Sequence, residues 1–237
     1  MKKTLFIIAA FVMTFSGLSG FTQESGKGLC KAYFPLEKGT ELTYENYNAK
    51  GKLQSSEILT VKDLIETAES IAIKVNLKSF DKKGEEASQS EFEYSCENGV
   101  FRMSLESIMD QGMMEAYKDM EVTMTQTELE LPSDMTIGES LPDADIKMTI
   151  SSSGTQIMTI DMKITDRKVE AKESITTTGG TFECYKLSQT TNMKMMFMNK
   201  TMKSVDWIAE NIGSVRSESY STSGKLESYR VLTNIKR

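Results

Sequence analysis

The chain predicts a mainly β fold: one curved antiparallel sheet of half-barrel type with a single amphipathic helix on its concave side. Three observations point there. Apolar and polar residues alternate at period two through most of the chain, hairpin-type turns punctuate the runs, and one segment alone changes to a helical period. Strand and helix do not alternate regularly, so a parallel sheet is not expected.

The elements follow in order. Lys2 and Lys3 precede the apolar run Leu5 to Met13, and the small residues Ser16, Gly17, Ser19 and Gly20 come next. That is the layout of an export signal, here residues 1–22, and the run is shorter than the roughly 20 residues a membrane span needs. The remainder, residues 30–237, is expected to be one β-rich domain in the periplasm or outside the cell, without a transmembrane segment. Glu41 to Tyr47 and Leu53 to Val61 read as strands around the turn 48–52, and Ser70 to Lys78 puts Ile71, Ile73, Val75 and Leu77 on one face. Asp81-Lys82-Lys83-Gly84 turns the chain into Glu91 to Cys96, and Asn98-Gly99 is a type I′ hairpin signal. Further strands are expected at Ala144–Ser152, Ile157–Val169, Phe182–Thr190, Lys200–Ala209, Gly213–Ser221 and Leu226–Ile235. Pro35, Pro132 and Pro142 stay outside these runs, where a missing N–H harms no ladder.

The helix is expected over Ser104–Met120, with Leu105, Ile108, Met109, Met113 and Tyr117 on its apolar stripe. Packed on a sheet, that stripe either covers the core or forms a lid over an apolar pocket. A short echo links the two ends of the domain: Tyr47, Gly51-Lys52-Leu53, Ser55 and Leu59-Thr60 recur at the same spacing as Tyr220, Gly224-Lys225-Leu226, Ser228 and Leu232-Thr233. It reads as two similar hairpins in comparable places of one sheet.

Composition excludes more than it assigns. The chain holds 28 basic and 34 acidic residues, and loss of Lys2 and Lys3 with the signal takes the net charge from −6 to −8. Nucleic acid, which needs clustered cations, is not an expected partner. Histidine is absent, which removes Ser-His-Asp and Cys-His catalysis and His-based zinc sites. A glycosidase carboxylate pair needs no histidine, but the acidic residues are spread along alternating strands as on a solvated face. No enzyme, no cofactor and no metal site is expected.

Cys30, Cys96 and Cys184 allow one disulfide, with three pairings open and one thiol left over. Lys27 sits just before Cys30 and far from the apolar run, which argues against lipidation there. Among the 17 methionines, Met193, Met195, Met196, Met198 and Met202 crowd beside Phe197. Thioethers there can fill a core, adapt to a lipid tail or partner, or capture Cu(I). Trp207, the single tryptophan, serves either as a core anchor or as a stacking platform for a sugar.

The motifs Cys30-Lys31-Ala32-Tyr33-Phe34-Pro35-Leu36-Glu37-Lys38-Gly39-Thr40, Cys96-Glu97-Asn98-Gly99-Val100, Leu129-Glu130-Leu131-Pro132, Leu141-Pro142-Asp143-Ala144, Gly180-Thr181-Phe182-Glu183-Cys184-Tyr185-Lys186 and Ser204-Val205-Asp206-Trp207 resemble the TapB-like family of secreted proteins from Gram-negative anaerobes. The last two motifs are also similar to lipoprotein-carrier-type half-barrels. That resemblance implies a concave apolar face able to hold an acyl chain, and it implies no catalytic residue. The expected function is therefore non-catalytic binding of a lipid or other hydrophobic small molecule. Its face would comprise Leu105, Ile108, Met109, Met113, Tyr117, Met193, Met195 and Trp207. The alternative is a structural or interaction module of the cell envelope, with a closed core and an envelope protein as partner.

Overall fold

The computed structural model describes residues 31–103 and 119–237, and its strands form one 13-stranded antiparallel sheet. They are β1 (Glu41–Asn48), β2 (Leu53–Glu66), β3 (Ser70–Asp81), β4 (Glu86–Glu97), β5 (Val100–Met103), β6 (Glu121–Gln126), β7 (Leu129–Pro132), β8 (Ala144–Ser152), β9 (Thr155–Thr177), β10 (Gly180–Met195), β11 (Met198–Ala209), β12 (Gly213–Tyr220) and β13 (Leu226–Lys236). Their order across the sheet is β6-β8-β9-β10-β11-β12-β13-β1-β2-β3-β4-β5-β7.

Turn chemistry sets the register. The β1–β2, β3–β4 and β12–β13 hairpins share one device: a first residue with a side-chain acceptor (Asn48, Asp81, Ser221) and a glycine three residues later (Gly51, Gly84, Gly224). In each, the glycine N–H donates to the first residue's carbonyl, and the side chain accepts from the backbone N–H one residue beyond the glycine. The glycines take φ of 74°, 84° and 80°, and a bulge follows in each ladder, as a three-residue hairpin loop requires. The sequence echo is thus structural: β1 pairs with β13, so the two matching hairpins lie side by side in mid-sheet, with Tyr47 stacked on Tyr229 at 5.1 Å between ring centroids. At Asn98-Gly99 both φ values are positive (52° and 76°), which is the expected I′ geometry.

The sheet rolls without closing, and its edge strands do not pair with each other. Its edge strands β6 and β7 are consecutive in the chain, joined only by Thr127 and Glu128, so one stretch crosses from one edge to the other. Arg167 on β9 ties the seam: its Nη2 donates to the Glu130 carbonyl on β7 at 3.0 Å, and its Nη1 donates to the Pro142 carbonyl. Beside it, residues 138–141 run along β9, with Gly138 and Leu141 donating to the carbonyls of Val169 and Arg167.

The expected fold class is corrected in one respect. No helix is present among the described residues, and 104–118, where the helix was placed, lie outside them, as do Leu105, Ile108, Met109, Met113 and Tyr117. Asp119 and Met120, the last two residues of that span, form a turn leading into β6. An irregular segment supplies core filling: Ala32, Tyr33 and Phe34 are buried, and the Tyr33 hydroxyl donates to the Pro132 carbonyl at 3.1 Å. Met135 and Leu141, from the crossing after β7, are buried with them. Aromatic side chains on an irregular backbone can close the end of a rolled sheet as well as a helix can, provided the backbone groups find partners. Here they do, as in the donation from Asn211 N–H to the Ala32 carbonyl.

β9 and β10 are long enough to serve two regions. Asp166 sits at a left-handed φ of 53° where the β9–β10 register slips, and this breaks β9 into two limbs. Beyond Asp166 the strands belong to the barrel and its main core around Tyr44, Phe101, Leu131, Val169 and Leu232. Before it they form an arm with β6 and β8, whose smaller clusters are built on Ile146, Met162 and Ile164, and on Met148, Ile150 and Ile160.

Candidate functional site

The rolled sheet lines a partly open chamber of about 400 Å³. One wall is apolar: Tyr44 of β1, Leu59 of β2, Tyr94 of β4, Met103 of β5 and Leu131 of β7, with Phe34 beneath. The facing wall, on β10 to β13, carries the polar groups Gln189, Ser204, Asp206, Ser217 and Arg230 among Leu187 and Ile208, and Arg167 of β9 joins them. Register explains the grouping. Leu187, Asp206, Ser217 and Arg230 are successive cross-strand partners over four neighbouring strands, so one row of the sheet points all four into the chamber.

The electrostatics of that row follow from burial. Asp206 Oδ1 accepts from Ser217 Oγ at 2.5 Å, and Oδ2 from Ser204 Oγ at 3.4 Å. Burial raises its carboxyl above the ordinary value of 3.8, against the pull of those two bonds and of Arg230 and Arg167. Arg230 donates to Glu57 Oε2 at 2.8 Å and lies over the Tyr44 ring at 3.6 Å. Burial opposes its charge, but Glu57, Tyr44 and Tyr94 outweigh that and its pKa rises. Burial also pushes the Tyr44 hydroxyl up to about 12. Arg167 is 3% exposed and has no carboxylate within ion-pair distance among the described residues; burial lowers its pKa to about 10, so it stays charged at neutral pH. The Nε atoms of both arginines are buried and have no acceptor among the described residues.

Of the residues expected to form the apolar face, Met193, Met195 and Trp207 are described, and none of the three lines the chamber. Trp207 is buried in the main core on the other face of β11 from Asp206, with its Nε1 donating to Glu173 at 2.6 Å and Lys186 over its ring at 5.3 Å. That is the core-anchor position. Met193 and Met195 pack against the arm clusters and do not line the chamber. Cys184 is free and buried, its thiol raised to about 12 by burial, and Cys96 is buried in the same core. Among the described residues no group of three or more Cys, Asp and Glu side chains is placed to hold a metal ion.

Sequence reasoning missed the polar row. A signal for it existed, because Ser204 and Asp206 share one strand face, as do Arg230 and Leu232. A charged residue in phase with a core residue marks an inward polar site. Reading it needed the strand order, which local patterns do not give.

A rolled antiparallel sheet around a two-sided chamber defines the class. The chain belongs to the DUF3108-like family, which matches residues 37–232; this family, and not the TapB-like group, is the one shown. No curated protein matches the chain. A crystal structure of a putative lipoprotein from Parabacteroides distasonis is similar at TM-score 0.73 and 25% identity, covering 87% of this chain and 99% of that one. A putative exported protein with YmcC-like fold from Bacteroides fragilis is similar at TM-score 0.70 and 25% identity, covering 86% and 98%.

Proposed function

We propose that this protein works outside the cytoplasm as a non-catalytic binding protein for a small amphipathic molecule held in the chamber. The carrying observation is one partly open chamber whose first wall is aromatic and aliphatic and whose facing wall carries hydrogen-bonding and charged groups. Pockets of roughly 300–1,000 Å³ take up most of a small ligand, and a few convergent polar groups fix its orientation. The apolar wall suits a chain or ring, and the row from Asp206 to Arg230 suits an oxygen-rich head. The export-type N-terminus, together with relatives described as an exported protein and a lipoprotein, supports the location.

Native mass spectrometry of the protein purified from periplasm without detergent tests the reading. A bound small molecule is expected, released on denaturation and absent from a Leu131→Trp variant whose chamber is filled. A bare mass, together with no uptake of a hydrophobic dye by the folded protein, would leave an interaction module with a closed core instead.

The same location bears on the thiols. Because Cys184 is free, an oxidising compartment leaves Cys30 and Cys96 to pair. The position of Lys31 supports this: its N–H donates to Ser133 Oγ at 3.0 Å, and Ser133 N–H donates to the carbonyl of Gly99, in the turn just beyond Cys96. Thiol titration of the denatured, unreduced protein should count one free thiol per chain; three would sink the pairing.

A further inference from the structure

The chamber leaves one feature of the molecule without a role, the tip of the β10–β11 hairpin. Met195 pairs with Met198, so Met196 and Phe197 are the two turn residues. Phe197 is 99% exposed, Met196 66% and Met198 61%. Ile157, 50% exposed on the neighbouring strand β9, shares a shallow groove with Met196 and Phe197. Met196 holds a left-handed φ of 50°, at the turn position where glycine or asparagine costs least. Two other two-residue hairpins whose first turn residue has a left-handed φ use Asn98-Gly99 and Ser153-Gly154. Folding thus gains nothing from Met-Phe at this turn, since the backbone is strained and the apolar surface stays in water.

Charge indicates what receives the tip. From Cys184 to Val205 the sequence has no acidic residue, in a chain with 34 of them. Lys194 and Lys200 lie within three residues of the tip, and Lys147 borders the groove. Against these three cations stand Asp161, cross-strand from both Lys147 and Lys194, and Glu227, 3.8 Å from Lys200. The excess is positive on a protein that is negative as a whole. An apolar wedge rimmed by lysines matches the surface of an anionic bilayer, where the side chains enter the acyl boundary and the ammonium groups meet phosphates. A nucleic acid would not call for the wedge, and an apolar protein partner would not call for the cations.

We infer that the Met196-Phe197-Met198 tip, with Lys194 and Lys200 beside it, is a docking point for an anionic lipid bilayer. It works independently of any ligand in the chamber.

Co-sedimentation of the full exported chain with vesicles made of equal parts phosphatidylglycerol and phosphatidylethanolamine tests this, with phosphatidylcholine vesicles as the comparison. Binding is expected to the anionic vesicles and to weaken in high salt. Phe197→Ser should lower it by about tenfold or more, the loss for one large apolar side chain kept in water. Reversal at both Lys194→Glu and Lys200→Glu should lower it by a similar factor. Phe197, Lys194 and Lys200 are all exposed, so circular dichroism should show an unchanged fold for both variants. Absence of binding to anionic vesicles, or a Phe197→Ser variant that binds undiminished, overturns the inference. So would a dimer in sedimentation velocity that Phe197→Ser dissociates, because the tip would then be a contact between copies of the chain.

Discussion

The barrel and the arm share two strands, yet they treat apolar residues in opposite ways. In the barrel, large side chains are sealed: Tyr44, Phe101, Leu131 and Leu232 are at most 2% exposed, and aromatic edges interlock, with Tyr33 and Tyr94 at 6.1 Å and 5.5 Å from Phe101. In the arm the filling is mostly isoleucine and methionine, in two small clusters, and the apolar run continues past them into solvent at Phe197. Rigid aromatic packing suits a region that must keep a chamber of fixed shape. Flexible thioethers suit a narrow sheet that has to adapt. The kink at Asp166 lets one ladder carry both.

The contrast is broken most directly in the cores. Phe101→Ala should cost about 3–5 kcal/mol in urea unfolding, since a fully buried aromatic leaves a cavity its interlocked neighbours cannot collapse into. In the arm, Met148→Leu should cost less than about 1.5 kcal/mol, because volume is conserved and the thioether demanded no exact shape. Equal costs at the two positions would erase the distinction between a shaped and an adaptable core.

Next in size is the seam. Arg167→Leu removes the fork that satisfies the Glu130 and Pro142 carbonyls, and each buried polar group left unmet costs about 1–3 kcal/mol. A loss of about 2–3 kcal/mol is expected, with faster amide exchange in β7. Lysine at this position should not restore the loss, because a single ammonium cannot span both carbonyls as the planar fork does. If β7 keeps its protection in Arg167→Leu, the two edges are held by the crossing chain alone and the barrel is no more tied than the arm.

Asp206 gives a smaller effect that distinguishes the chamber from the rest of the barrel. Its carboxyl pKa is raised in the folded state, so the folded protein holds this proton more tightly than the unfolded chain does. Stability from this group therefore falls as pH rises from the ordinary value of 3.8 through the raised one, and the cost is complete above it. Asp206→Asn keeps an acceptor for Ser217 and should flatten the pH dependence of the melting temperature in that window. An unchanged profile would mean that water or a bound group already compensates the carboxylate.

How much of this was legible in the sequence depends on range. Local chemistry was: the strands bordering Asn48, Asp81 and Asn98 were read from turn residues, and the hairpin echo at Gly51 and Gly224 proved to be two copies of one turn. The short strands β5, β6 and β7 were not read, because four to six residues hold too little alternation and their pairing is set by the seam. On β10, strict alternation would put Cys184 and Leu187 on opposite faces, but a bulge at Lys186/Leu187 buries both. The chamber was invisible for a related reason. Arg167, Asp206 and Arg230 are 24 or more residues apart and meet only once the sheet is rolled. Methionine abundance alone does not sort the cluster by face: Met193 and Met195 fill the arm while Met196 and Met198 leave it.

The smallest expected effect has the opposite sign and bears on the tip alone. A residue with a Cβ at left-handed φ costs about 1–2 kcal/mol, whereas glycine's greater freedom in the unfolded chain takes back about 0.5–1 kcal/mol. Met196→Gly should therefore stabilise the protein by about 0.5 kcal/mol, read as a small rise in the urea midpoint with an unchanged slope. The same change at Ser153, whose φ is also 50°, should give a similar gain, because both gains come from the backbone. A loss at Met196 with a gain at Ser153 would mean that the methionine side chain makes stabilising contacts in the folded protein. The hairpin would then be an extension of the arm's packing, and the difference between a sealed core and an arm with an open end would shrink to the single exposed ring of Phe197.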